Sequence, residues 1–166
     1  MTAVPLTGSH PIKVRRLVLW LALAVLFSGI GYALARQIPL WLAKPVVTAT
    51  AAAGCDLQHT ACSADFADGV RVSLAIAPQP LRANQALSLQ VHADGLAAQQ
   101  VEVRFSGVDM NMGLIDTPLS ANADGSFRGQ TTLSICIRQR MTWRAEVSVE
   151  GRDTLYRTHF DFQVTR

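Results

Sequence analysis

The chain has 166 residues, 49% of them hydrophobic, and a formal net charge of +3, enough for one folded domain beside a membrane segment. The charge is uneven: residues 1–45 carry Lys13, Arg15, Arg16, Arg36 and Lys44 and no acid, whereas residues 46–166 carry ten Arg against twelve Asp and Glu. A nucleic-acid role needs a basic face that follows phosphates, and the mildly acidic remainder shows no run of Lys or Arg, so that class is set aside.

Residues 1–16 read as a short cytoplasmic N-terminus. Residues 17–35, LVLWLALAVLFSGIGYALA, carry no charge. At about 1.5 Å per residue they extend roughly 28 Å, the depth of a bilayer's hydrocarbon core. A helix apolar all round is unlike a soluble amphipathic one, so a single transmembrane helix is expected. Three basic residues precede it and two follow, which favours an inside N-terminus. A cleaved signal peptide is the competing reading, because Ala33-Leu34-Ala35 has small-x-small form. The length of the apolar run and the continued apolarity of Ile38–Leu42 favour an uncleaved signal anchor. Trp41 and Lys44 suit the outer interface. Either way the rest of the chain lies outside, in the periplasm if the membrane is a bacterial inner membrane.

Residues 36–69 read as a juxtamembrane linker with a cysteine loop. Val46–Gly54 is small and uncharged. Ala52-Ala53-Gly54-Cys55 lies too far beyond the apolar run for a lipoprotein site. Within Cys55-Asp-Leu-Gln-His-Thr-Ala-Cys62, an oxidising compartment favours a Cys55–Cys62 disulfide. The alternative is a metal site from Cys55, His59 and Cys62, which lacks the fourth ligand of a structural zinc site.

Over residues 70–166 apolar and polar side chains alternate with period two. The apolar sets are Val70–Ile76, Leu87–Val91, Val101–Phe105, Met141–Val149 and Tyr156–Val164. Such alternation means strands with one wet face. Turn signals separate them at Pro78–Pro80, Asp94-Gly95, Asn122–Gly125 and Gly151. About seven strands in roughly a hundred residues predict an all-β domain, an immunoglobulin-like antiparallel β-sandwich. His92 and His159 fall on the polar parity and are expected in solvent. No nucleophile elbow, zincin, phosphate-loop or dinucleotide motif occurs, so catalysis is not expected.

The alternation breaks between Gly107 and Met141, where the sulfurs collect. In Gly107-Val-Asp-Met110-Asn-Met112-Gly113 an extended backbone points both methionines to one face and Asp109 and Asn111 to the other. Cys136 stands between Ile135 and Ile137, and Met141 follows after a turn. Two readings stay open. Met110, Met112, Cys136 and Met141 form a soft-metal set, since thioether and thiolate ligands prefer Cu(I). Alternatively the sulfurs are core filling, Met141 above all, because it shares parity with Trp143.

The motifs M-x-M-G (Met110–Gly113) and C-x4-M-x-W (Cys136–Trp143), with the glycines Gly125 and Gly129, resemble the YtkA-like group of extracytoplasmic domains, related to the FixH-like proteins. The resemblance covers about residues 70–166. It implies one N-terminal span, an immunoglobulin-like β domain outside, and a role in copper handling or in assembly of haem–copper oxidases. It also implies a metal role for Met110, Met112 and Cys136. No His stands beside the methionines, unlike Met/His copper sites. The expected partners are the membrane and a membrane protein complex or copper-handling protein. The rivals are a metal-free module docking on a membrane complex, and a thiol redox protein using Cys136.

Overall fold

The computed structural model describes residues 11–42, 44–134 and 139–166, with the side chains of the first helix described for 14–35. The chain forms two compact units, one up to Ala43 and one from Lys44 to Arg166. Helix α1 (Pro11–Leu42) makes up the first. Pro11 opens it, its fixed φ suiting a first helical turn. Within it Val14–Ala35 is long and apolar enough to cross a membrane, and none of that stretch is buried against protein. The helix outruns the predicted residues 17–35 because the flanking Lys13, Arg15, Arg16 and Arg36 are good helix formers.

The second unit is all strand: β1 (Val46–Thr50), β2 (Cys62–Asp65), β3 (Arg71–Ala77), β4 (Ala86–Asp94), β5 (Gln100–Gly107), β6 (Leu114–Ala121), β7 (Phe127–Thr132), β8 (Arg140–Glu150) and β9 (Leu155–Thr165). They form one sheet in the order β1-β9-β8-β5-β6-β7-β4-β3-β2. The sheet nearly closes on itself, and just past β1 the Ala52 amide donates to Ser63 O in β2 at 2.9 Å. Strand β6 carries the chain round the bend, matching β5 along Leu114–Leu119 and β7 only at Ser120 and Ala121. Pro118 is tolerated there because most of β6 has a partner on one side only.

The predicted apolar sets face inward. Val72, Leu74, Ile76, Leu87, Leu89 and Val91 from one half meet Val101, Val103, Phe105, Trp143, Phe160 and Phe162 from the other, all buried. Phe105 and Phe162 meet edge to face at 6.3 Å. Each such side chain contributes about 1.5–3 kcal/mol on burial, so the core fixes the register: a one-residue slip would turn a strand's whole set outward.

The architecture corrects the predicted one at three places. Among the described residues seven strands, β3 to β9, lie beyond residue 70, the number expected there, but two more, β1 and β2, precede them, and β1 runs parallel to β9. The stretch expected as a linker over 36–69 supplies β1, the cysteine loop and β2, so the folded unit starts at Lys44 rather than at residue 70. The irregular middle contains β6 and β7. These four strands escaped because they are short or partly exposed, with mixed residues on both faces.

Register also sorts the loops to two ends. The Lys44 end holds the turns 65–71, 94–100, 121–127 and 150–155. The opposite end holds 50–62, 77–86, 107–114 and the approach to β8.

Candidate functional site

The loop between β5 and β6 is built from its backbone outward. Gly107 is the last residue of β5 and faces Trp143 of β8. Beyond it Val108 N donates to Thr142 O at 2.9 Å, and the Thr142 amide donates to Asp109 Oδ2 at 2.8 Å. Gly113, at φ +80°, donates its amide to Asn111 Oδ1 at 3.0 Å. That side-chain turn needs a left-handed residue, which glycine adopts without a Cβ clash. The loop is thus clamped to β8 at one side and closed by an Asn turn at the other.

Asp109 and Asn111 are exposed, whereas Met110 and Met112 are half-buried and pack against the core, the parity expected of an extended chain. Met141, at the start of β8, is fully buried. Met112 and Met141 converge over Gly107. A Cβ built there would stand 3.4 Å from Met112 Cγ and 2.5 Å from Met141 Cε, and would overlap the carbonyl oxygen of Met110. The missing side chain at position 107 is the space the methionines fill. Trp143, the cross-strand partner of Gly107, is buried, and its Nε1 has no hydrogen-bond partner among the described residues. Of the four predicted ligands, the structure therefore brings Met112 and Met141 together, with Met110 on the same loop. Cys136 lies outside the described residues.

Cys55 and Cys62 are joined as a disulfide, with Cα atoms 5.3 Å apart. Their sulfurs are then not thiolates, and His59 turns its Nδ1 to Asp56 at 2.9 Å. The alternative metal site at Cys55, His59 and Cys62 falls on that account. Among the described residues no group of three or more His, Cys, Asp or Glu is placed to hold a metal ion. The bridged loop does something else. It delivers Leu57, fully buried, as a plug into the core cluster that also holds Leu81 and Leu133. Gln58 Oε1 accepts the Leu81 amide at 2.7 Å, and its Nε2 donates to Gln163 O. Gln79 Nε2 reaches Leu57 O at 3.0 Å. Neither Leu57 nor Gln58 carries a periodic signal, so sequence reasoning missed both.

The Lys44 end is closed differently. Phe66 and Tyr156 meet edge to face at 5.1 Å, and the Tyr156 hydroxyl donates to Asp68 Oδ2 at 2.6 Å. That hydrogen bond holds the Asp68 carboxyl below its usual range and raises the phenol. Lys44 Nζ donates to Gly151 O and pairs with Glu150, both at 2.7 Å. His92 is half-buried and bonds Gln90, while His159 is exposed.

Comparison with protein-family models, curated proteins and solved structures gave no match.

Proposed function

We propose that this is a single-span membrane protein whose β domain lies in the periplasm of a bacterial cell and binds Cu(I), for metal delivery or for assembly of a haem–copper oxidase. The reading takes the folded unit as an immunoglobulin-like sandwich of the YtkA-like and FixH-like kind. On that view β1-β9-β8-β5-β6 and β7-β4-β3-β2 are its two layers, crossed by β6. No catalysis is assigned to it.

The observation that carries the reading is the convergence of Met112 and Met141 over Gly107, with Met110 on the same clamped loop. Soft thioethers favour Cu(I) over harder ions, and a metal's grip gains from ligands held before it arrives. Met112 is the outer wall of the site and Met141 the inner one. Cys136 is the candidate for a further ligand. The Cys55–Cys62 disulfide fits an oxidising compartment.

Anaerobic Cu(I) titration of the detergent-solubilised chain against a chromophoric chelator tests it. Tight one-to-one binding is expected, and Met110→Leu plus Met112→Leu abolishes it with the fold retained. Binding unchanged in that variant, or none in the parent, ends the copper reading. A second reading then stands on its own observation. Val108 and Leu114 flank the same loop and are exposed at 48% and 65%, which suits a metal-free docking rim with adaptable methionines between.

A further inference from the structure

Arginine pairing in the folded unit is unequal. Arg71, Arg104, Arg128, Arg144 and Arg157 each sit within ion-pair distance of a carboxylate: Asp65, Asp116, Asp124, Asp161 and Glu146 respectively. Arg82, Arg140, Arg152 and Arg166 pair with no acid among the described residues. Three of these four meet at one place. Arg140 is the cross-strand partner of Thr165, Arg82 bridges the same Thr165 from the other side, and the Arg166 amide donates to Gln139 O at 3.2 Å. All three side chains are exposed. They are far apart in sequence, so no basic run announces them.

The acids nearby are committed. Asp161 takes Arg144 in a two-pronged contact at 2.7 and 2.8 Å. Asp56 takes His59 and the Gln58 amide. Asp109 accepts the Thr142 amide. Beside Arg140 an open cleft of about 520 Å³ runs past Gln58, Pro80 and Thr165, and the committed Asp56 and Asp161 line it too. Asp68, Asp94 and Asp153, which make no ion pair among the described residues, lie at the Lys44 end. Three of the four unpaired arginines thus gather at the end away from Lys44, and Arg152 alone of them lies in a turn at the Lys44 end.

We infer that the Arg82–Arg140–Arg166 cluster is a docking point for an acidic segment of a partner protein. Guanidinium groups grip carboxylates in planar, two-pronged fashion, and arginine is enriched in protein interfaces. Three exposed cations brought together around Thr165, one of them lining a cleft with Pro80 and Gln58, match a carboxylate-bearing protein surface. They are too few, and too mixed with acids, to track a phosphate backbone. The patch acts through charge and is independent of any metal at the methionines.

The test uses the full chain in phosphatidylcholine nanodiscs and a labelled poly-glutamate peptide. Binding is expected, weakening as salt rises from about 50 to about 500 mM, where the screening length drops well below 10 Å. Arg82→Gln plus Arg140→Gln should weaken it ~10-fold or more, a loss typical of removing close charge pairs. Arg71→Gln plus Arg128→Gln, which removes equal charge from exposed positions elsewhere, should leave it unchanged. No binding by the parent, or equal loss in both variants, overturns the proposal. So does arginine-dependent binding to phosphatidylglycerol vesicles with none to the peptide, which would make the patch a lipid contact.

Discussion

The two ends of the folded unit are sealed by opposite means. The Lys44 end is closed locally, by an aromatic pair whose phenol reaches Asp68 and by Lys44 against Glu150 and Gly151. The far end is closed by parts brought from distant stretches. A disulfide-bridged loop inserts Leu57, Gln58 clamps residues 81 and 163, and the Ala83 and Asn84 amides bond Thr165 O and Leu133 O. The candidate methionines and the Arg82, Arg140 and Arg166 cluster both sit at that second end. A rim assembled from many separate segments holds side chains from β5, β8 and β9 in fixed relation, which a single mobile loop does not.

The comparison breaks most sharply at Leu57. Leu57→Ala empties the plug and should lower the unfolding free energy by about 2–5 kcal/mol, the range for a buried leucine that leaves a cavity. Chemical denaturation of the solubilised chain measures it, and a loss within error would mean the plug is not part of the core. Reduction comes next. Opening the loop, whose cysteines are seven residues apart, should cost about 2.5 kcal/mol in the chain-entropy account. Hydrogen exchange should then rise first at Leu81, Ala83 and Asn84, and not at the Tyr156 end. Uniform loss of protection would contradict the division.

The smallest effect is one of pH at the Lys44 end. The bond from Tyr156 depresses the Asp68 carboxyl, so its contribution is present above the ordinary carboxylate value and is lost as pH falls through the lower folded one. Asp161, held down by Arg144, behaves alike. The melting temperature should be flat from neutrality and fall below about pH 4. Tyr156→Phe should flatten that fall slightly, and an identical acid profile in the variant would remove Asp68 from the account.

What the sequence reveals follows from how local each signal is. The inward sets of β3, β4, β5, β8 and β9 are legible because one buried face imposes period two on neighbours in the chain. The opposed faces of Asp109–Asn111 and Met110–Met112 are legible for the same reason. The short strands β1 and β2 are not, since their burial depends on partners a hundred residues or a turn away. Gly107 carries no sign that two methionines would fill its missing side chain. Arg82, Arg140 and Arg166 look like scattered charges until β8 and β9 align them.

Strand β1 has a mechanical meaning. It follows directly on the stretch that joins it to the helix, and it lies parallel to β9 in five matched positions, Val46 opposite Leu155 through Thr50 opposite His159. A pull on the chain at Lys44, resisted by anything gripping the far end, runs along the strand axis. Backbone bonds that stand across that axis share such a load at once, whereas a strand drawn off sideways gives them up one by one. Under such a load the parallel β1 and β9 are drawn past each other in shear, the geometry that bears tension longest.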